Sequence, residues 1–470
     1  MSYLPLSRLP ILSKRLETVR SWAVGDSFFA HVARAAVARV EGAHDAADLL
    51  EAISRFQRLY IIGSLGQQTN PDILAMLDDE TLITWKDFNI LPATPAQLDR
   101  LADLMYGGDP QRRAPILLTL NDYARGVGEL IVQKCIDKGV EFDPWIIDQR
   151  FQRHLMNKLD DAGLAAFGDL MAARRAGVAR TVNFELDQST ASEIHVDGEK
   201  LKIYSDAAEA RARKAARNLF YTSTRLPTPA GAAIDGMTYP EYVDLFFRMC
   251  GVDWDKVDMA HRALIHKLNA GKLLRLTNDD GTDLTMDIEG FTFANSRVAK
   301  NVPGSEVFSA PRRDSVNGLV VAKGKFAEKA TNKIVEDITL EFKDGRVIRY
   351  DAAHGFEHLQ RAVETDEGSH FVGEIGIGTN PQLKRHILNS LMVEKIGGSF
   401  HIALGAAYEY KDYLGEPVNL DNGNRSKLHW DITTMLYGKD GKIILDGIEI
   451  MRDGFFIDPE LAYLNGDMSI

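Results

Sequence analysis

The segment from Phe371 to Asp431 places ionisable side chains inside runs of residues that are otherwise typical of buried strands. Glu374 lies among Phe, Val and Ile in FVGEIGIG, and His401 opens the apolar run HIALG. A buried carboxylate is costly unless it is paired or bound to a metal. His429 and Asp431 are two residues apart, so on a strand their side chains point to the same side. This segment therefore predicts strands that carry a polar site.

Seven side chains in this segment or upstream of it could bind a metal ion or a developing charge. They are Glu374, Glu394, His401, Tyr408, His429 and Asp431, with Glu306 upstream in NVPGSEVFSAP. Carboxylates and imidazoles are the ligands that hard to borderline divalent cations prefer. Any one of these residues alone is more often a hydrogen-bonded structural residue. Because several occur at apolar strand positions within one span, a shared metal site is the favoured interpretation.

Four segments, in this order along the chain, resemble the thermophilic aminopeptidase family of metallopeptidases, the aminopeptidase T and aminopeptidase S type. They are NVPGSEVFSAP, TDEGSHFVGEIGIG, HIALGAAY and GNRSKLHWD. The resemblance covers about residues 220–460. It implies a metallo-aminopeptidase whose two divalent cations (Zn, Co, Mn or Mg) are held by Glu306, Glu374, His401, His429 and Asp431. Ser305 departs from the family pattern, which often has Gly before the first Glu.

The same resemblance implies roles for particular side chains. Glu374 would bridge the two cations, and Tyr408 matches the family's active-site tyrosine. Glu394 matches a family acidic position. Hydrolysis of a peptide bond needs a carboxylate that carries a proton to the leaving amine. Glu306 and Glu394 are both candidates for that role, and short peptides would be the substrates.

Two other functions remain open from the sequence. His401, His429 and Asp431 alone would form the two-histidine, one-carboxylate set of a mononuclear non-haem iron centre. Ring-cleaving dioxygenases that act on dihydroxypyridines resemble members of the same superfamily, so such a dioxygenase is the main alternative. The presence of Glu306 and Glu374 favours a second cation and hydrolysis. A non-catalytic relative is disfavoured by the complete set of candidate ligands.

A rival zinc motif occurs at His354, Glu357 and His358, which spell His-x-x-Glu-His. If this segment is a helix, both imidazoles point away from its apolar stripe. A catalytic zinc site should lie in a cleft, so an ordinary surface helix is the favoured interpretation.

Composition limits the partners and the compartment. The 470-residue chain has 67 acidic and 55 basic residues and a net charge of −12, which argues against a nucleic-acid partner. Two cysteines, Cys135 and Cys250, do not predict a disulfide framework, and no apolar run is long enough to span a membrane. We therefore expect a cytoplasmic protein without membrane contact. The family resemblance implies a homodimer.

The hydrophobic pattern predicts three domains. Residues 1–112 are expected to form a mainly helical N-terminal extension, although RLYIIGSLG within it has the character of a strand. Residues 113–235 follow strand–turn–helix–strand order and predict an α/β domain. Gly126 and Gly128 lie at its first turn, but Ile131 replaces the third glycine of a dinucleotide fingerprint, so a structural turn is favoured over nucleotide binding. Residues 236–470 predict a strand-rich, α+β metal-binding domain.

Overall fold

The computed structural model describes residues 9–78, 84–107, 114–186, 194–215, 220–328 and 333–466. These residues form two compact units, and the chain passes from the first to the second between Leu226 and Pro227. The first unit contains helices and a parallel sheet, and the second is rich in antiparallel strands. The predicted fold class, with a helical N-terminal segment, an α/β part and a strand-rich C-terminal part, is confirmed.

The first unit combines helices with one four-stranded sheet. Its helices are α1 (Pro10–Trp22), α2 (Phe28–Glu41), α3 (Ala46–Ser64), α4 (Pro71–Leu74), α5 (Pro95–Gly107), α6 (Arg125–Lys138), α7 (Gln149–Lys158), α8 (Asp161–Ala173) and α9 (Gly198–Ala215). Its strands are β1 (Ile116–Leu120), β2 (Phe142–Ile146), β3 (Arg180–Leu186) and β4 (Phe220–Leu226). The strands are parallel in the order β2-β1-β3-β4, as expected when helices connect successive strands.

The predicted strand RLYIIGSLG is wrong, because most of these residues form the second half of helix α3. Leu59, Ile61 and Ile62 are all buried there. An apolar run of this length is consistent with a buried strand or a buried helix, and periodicity alone cannot separate them. In the helix, Arg58 donates a hydrogen bond to the carboxylate of Asp148, the N-cap of α7, at 2.6 Å.

The Gly-x-Gly turn serves packing within the first unit. Gly126 and Gly128 lie in the first turn of α6. A Cβ on Gly128 would lie 3.0 Å from side-chain atoms of Leu120 and Trp85, and one on Gly126 would lie 3.2 Å from Leu98. The two glycines therefore let the helix approach its neighbours closely, which supports the structural interpretation over a phosphate-binding one.

The second unit contains two large antiparallel sheets, one two-stranded sheet and four α-helices in its described part. The helices are α10 (Pro229–Ile234), α11 (Tyr239–Cys250), α12 (Trp254–Ala270) and α13 (Phe356–Val363). The strands of the larger sheet are β5 (Leu273–Thr277), β6 (Asp283–Asp287), β9 (Asn317–Ala327), β10 (Ile334–Lys343), β11 (Arg346–His354), β17 (Lys442–Leu445), β18 (Ile448–Arg452) and β19 (Phe455–Phe456). The smaller sheet contains β7 (Ala294–Ser296), β8 (Glu306–Ser309), β12 (Val372–Gly378), β13 (Ser399–Gly405) and β16 (His429–Met435). Two further strands, β14 (Asp412–Tyr413) and β15 (Glu416–Pro417), pair with each other.

The eight-stranded sheet has the order β11-β10-β9-β6-β5-β17-β18-β19, and the five-stranded sheet has the order β16-β13-β12-β8-β7.

One continuous apolar core joins the two sheets of the second unit. From the smaller sheet it receives alternate residues, such as Ile375 and Ile377 of β12 and Phe400 and Ile402 of β13. Burial of each such side chain contributes about 1.5–3 kcal/mol. Because side chains alternate along a strand, the residues between them project from the opposite face of the same sheet.

The His-x-x-Glu-His motif does not lie on one helix. His354 is the last residue of strand β11, and its side chain is 77% exposed. Gly355 follows with a φ of 74°, and α13 begins at Phe356. The prediction of a surface helix is therefore correct for Glu357 and His358 but wrong for His354. The two histidines lack the common helical face that the zinc motif needs.

In the part of the chain that the structure describes, no helix is both long and apolar enough to cross a membrane.

Candidate metal centre

The five predicted metal ligands lie on one face of the five-stranded sheet. Glu306 of β8 pairs with Gly378 of β12, and His401 of β13 pairs with Gly376. Paired residues of antiparallel strands have their side chains on the same face. By the same register, Glu374, Ala403 and Asp431 form one row across three strands, and Gly405 lies opposite His429. The opposite face of these strands enters the apolar core, which explains the alternation seen in the sequence.

Small residues between the ligands make room for them. A Cβ on Gly376 would lie 2.2 Å from both Cε1 and Nε2 of His401, so the imidazole lies directly over this glycine. The register of β12 also shifts between Val372 and Glu374, which leaves Gly373 as an extra residue. Such bulges re-aim side chains, and they are common next to active sites. Glu374 lies on the His401 face by alternation with Ile375, and the bulge instead turns Val372 into the apolar core.

The Glu374 carboxylate lies between two imidazoles. Its Oε1 is 3.5 Å from Nε2 of His401, and its Oε2 is 3.1 Å from Nε2 of His429. The His429 Nε2 is also 3.5 Å from Oδ1 of Asp431. Three ligand atoms, one from each of Glu374, His429 and Asp431, all lie within 4.8 Å of one another. On the other side, His401 Nε2 is 3.7 Å from Oε2 of Glu306.

These separations fit metal coordination better than direct hydrogen bonding. Around a four-coordinate ion with bonds of about 2.1 Å, neighbouring ligand atoms lie roughly 3.4 Å apart. Most of the distances above are longer than an N–H···O hydrogen bond, which is usually ~2.7–3.2 Å. Oε2 of Glu306 and Nε2 of His401 face each other, are buried and make no hydrogen bond to the described residues. Buried polar atoms are normally satisfied, so these two atoms fit a bound cation.

The tautomer of His429 is fixed in the form that a metal ligand requires. Its Nδ1 lies 2.8 Å from the backbone carbonyl of Ala406 and donates to it. The lone pair of Nε2 is then directed towards Glu374 and Asp431. Metal-binding histidines commonly hold their other ring nitrogen in this way.

The carboxylates make the centre strongly attractive to positive charge. Burial lowers the pKa of His401, but the nearby Glu374 and Glu306 carboxylates outweigh it and raise this pKa to about 9. Burial likewise opposes protonation of His429, yet Asp431 and Glu374 raise its pKa well above the ordinary value. Burial would raise the pKa of Glu374, but its contacts with the two imidazoles hold this pKa below the usual range. Imidazoles must release protons to bind metals, so metal binding competes with protonation as pH falls.

Glu394 lies beside this centre and is paired with a lysine that the sequence analysis missed. Lys395 is fully buried, and its Nζ lies 2.7 Å from Oε1 of Glu306 and 2.7 Å from Oε2 of Glu394. Burial raises the pKa of Glu394 to about 8, against the attraction of Lys395. The sequence does contain a signal for this pairing, a lysine within the apolar run LMVEKIGG and next to a predicted site carboxylate. A buried lysine is rare unless it is paired.

Tyr408 borders the centre through an aromatic cluster. Its hydroxyl lies 3.3 Å from Nε2 of His429. Its ring packs edge-on against Phe308 and stacks on Tyr410, with centroids 5.5 and 5.1 Å away. Phe308 is on the same sheet face as Glu306, two residues further along β8. These contacts place the phenol oxygen at the edge of the ligand set.

Ser305 keeps the backbone turn that the family pattern assigns to glycine. Its φ is 95°, in the left-handed region that favours glycine. Its Oγ lies 2.8 Å from Oγ1 of Thr379, and its backbone N–H donates to the Ser296 carbonyl at 3.0 Å. Buried His261 also contacts Thr379 Oγ1, at 2.7 Å. The serine therefore holds the turn before Glu306 through hydrogen bonds.

Most of the chain matches a known protein family. The family model described as thermophilic metalloprotease (M29) matches residues 95–456, which is most of the chain. The chain belongs to the M29 family of thermophilic metalloproteases. All the candidate ligands of this M29 protein lie inside the matched range. The recognition of this family from the sequence is thus confirmed.

Relatives of this M29 chain include two aminopeptidases. It is 33% identical over 185 residues to aminopeptidase AmpS of Bacillus subtilis (strain 168), a match that covers 36% of this chain and 44% of the relative. It is 31% identical over 191 residues to aminopeptidase T of Thermus thermophilus, covering 37% of this chain and 46% of the relative. The matched regions span less than half of these curated relatives.

The fold of this M29 protein is similar to that of wild-type AmpT from Thermus thermophilus. The TM-score is 0.63 at 24% identity, and the match covers 78% of this chain and 100% of that chain. This likeness supports the fold class described above.

Proposed function

We propose that this protein is a metal-dependent aminopeptidase that releases N-terminal amino acids from short peptides with the help of two divalent cations. The observation that carries the proposal is the position of Glu374, whose two oxygens face different histidines. The His429 side of this carboxylate also has Asp431, and the His401 side has Glu306. Two sets of ligands that share one carboxylate suit a pair of cations. Family membership and the names of the relatives support the same reaction class.

The cations, once bound, would activate a water, polarise the scissile carbonyl and anchor the free α-amine of the substrate. Zn, Co, Mn and Mg all remain candidates for them. The protein's own part is to hold its ligand side chains in fixed positions. The Tyr408 hydroxyl lies beside His429, which supports a role for it as hydrogen-bond donor to the developing oxyanion.

Glu394 is the better candidate for carrying a proton to the leaving amine. Glu306 is 4% exposed, with Oε1 bonded to Lys395 and Oε2 directed towards His401. The Glu394 side chain is 18% exposed, and its contact with Lys395 uses Oε2 alone. Its second oxygen is therefore the one positioned to exchange a proton with a bound substrate.

Metal-reconstituted hydrolysis tests this function directly. After treatment with a chelator, we expect no hydrolysis of short peptides, and activity should return with at least one of Zn, Co, Mn or Mg. Peptides with a free N-terminus should be cleaved, and N-blocked versions of the same peptides should not, because the free amine is needed as an anchor. The measurement is release of the N-terminal amino acid. Equal cleavage of blocked peptides, or oxygen consumption with about one iron per chain, would contradict the proposal.

Tyr408→Phe is expected to lower kcat by about 10²-fold, because one hydrogen-bond donor to the oxyanion is lost. KM and the amount of bound metal should stay close to wild type, since the ring contacts remain. Steady-state kinetics and metal analysis provide the two measurements. Tyr410→Phe is the matched control, because it removes a hydroxyl from the ring stacked on Tyr408. Equal losses in both variants would refute a specific role for the Tyr408 hydroxyl.

Homodimer assembly and a cytoplasmic location stay predictions of the sequence.

A further inference from the structure

Lys395 occupies an unusual position for a lysine, because its ammonium group is buried between two carboxylates at the edge of the metal centre. Its side chain is 0% exposed, and its two contacts with Glu306 and Glu394 are both 2.7 Å long. These are charge-assisted hydrogen bonds at the short end of the usual range. A buried ammonium group without partners would be costly, so the lysine and its two acids form one unit.

The backbone that carries Lys395 is fixed independently of these side chains. Lys395 ends a short 3-10 turn, Val393–Lys395. The Asn380 N–H donates to the Lys395 carbonyl at 2.9 Å, and Thr433 Oγ1 donates to the Val393 carbonyl at 3.2 Å. A Cβ on Gly378 would lie 2.9 Å from the Glu394 carbonyl, so the turn rests on this glycine. Gly378 is the register partner of Glu306, which explains why the lysine meets that carboxylate.

The contact with Lys395 gives the two carboxylate oxygens of Glu306 different partners. Oε1 is bonded to the ammonium group, and Oε2 is left without a hydrogen bond, 3.7 Å from His401 Nε2. Glu306 can therefore offer one oxygen to a cation on the His401 side. The same ammonium group bonds Oε2 of Glu394.

We propose that Lys395 is a positioning residue that makes Glu306 a one-oxygen ligand of the cation on the His401 side and keeps Glu394 out of the coordination shell. This rests on the two-cation site of the proposed function. The cation on the other side, held by Glu374, His429 and Asp431, does not depend on the lysine.

The test measures bound metal as well as activity. Wild type, Lys395→Met, Glu306→Gln and the double variant are stripped with a chelator, titrated calorimetrically with Co²⁺, and analysed for metal per chain. We expect wild type to bind two ions. Lys395→Met should keep one ion at wild-type affinity and bind the other about 10–100-fold more weakly, the usual effect of removing a group that orients a ligand. Because both substitutions act on the same ion, the double variant should be no weaker than Glu306→Gln alone.

Two further variants complete the design. Lys323→Met is the matched control, since this lysine is half exposed and pairs with Asp337 on the larger sheet; it should bind two ions as wild type does. Glu394→Gln should also bind both ions, because Glu394 is not a ligand, and this variant keeps the second part of the inference open to refutation if Lys395→Met does not fold.

Any one of four results would overturn the inference. Two concern Lys395→Met, namely unchanged affinity for both ions or an equal loss of affinity for both. The others are additive losses of affinity in the double variant and the loss of an ion in Glu394→Gln. A wild-type protein that binds one ion would overturn both this inference and the two-cation part of the proposed function. Peptide hydrolysis by that protein would still support the aminopeptidase assignment, so the two failures can be distinguished.

Discussion

Glu374→Gln is expected to lower kcat/KM for peptide hydrolysis by at least about 10³-fold, or roughly 4 kcal/mol of transition-state stabilisation. The Glu374 carboxylate is the group that both histidines share, with contacts of 3.5 and 3.1 Å. Gln keeps the shape of the side chain but removes its charge, so affinity for both cations should fall. The measurements are steady-state kinetics and metal bound per chain.

The metal-free protein should still fold after this substitution, but less stably than wild type. Contacts with the two imidazoles hold the pKa of Glu374 below its usual range, so the charged carboxylate stabilises the fold and its loss should lower the thermal unfolding midpoint in chelator. Glu357→Gln is the control, because it makes the same chemical change on a side chain that is 70% exposed. Activity of Glu374→Gln within about threefold of wild type would remove the main support for the site.

Gly376→Ala is expected to cost about 10²-fold in kcat/KM, because a displacement of about 1 Å at a reacting group can have an effect of that size. The added methyl group would lie 2.2 Å from two atoms of the His401 ring, so the imidazole must move. The cation on the His401 side should bind more weakly, while the side formed by His429 and Asp431 should change little. Calorimetric titration with Co²⁺ and kinetics measure the two effects.

Gly198→Ala is the matched control for this substitution. Gly198 has open space where a Cβ would be, and its φ lies outside the positive range that strains other residues. Overpacking at Gly376 is expected to reduce the free energy of unfolding by about 1–3 kcal/mol, which thermal or denaturant unfolding would report separately from metal binding. Unchanged affinity for both cations would show that the His401 ring position is not critical.

The sequence predicted the ligand types because they depend on local pattern. His401, His429 and Asp431 each interrupt an alternating apolar run, and a strand period of two places them on the face opposite the core. The strands of the second unit could be read from the same alternation. By contrast, RLYIIGSLG was assigned to the wrong element, because it is apolar on nearly every side and has no clear period.

The arrangement of the candidate ligands bears on the two predicted functions. In the described ranges, the ligand atoms that meet within 4.8 Å belong to Glu374, His429 and Asp431. The iron alternative requires His401, His429 and Asp431 as its set, whereas His401 contacts Glu374 and Glu306. This arrangement favours the proposed function over the iron alternative, and the sequence does not contain it, since all the candidate ligands occur in either case.

By itself, the sequence determined the family, the strand-rich C-terminal part and the residues that supply carboxylate and imidazole groups. Only the tertiary structure decided that Glu374 lies between two histidines and that Lys395 binds Glu306, 89 positions earlier in the chain. Side-chain type and period are local properties of a chain. The pairing of one buried charge with another depends on strand register and on glycines that let backbones approach, and these are fixed only when distant segments pack together.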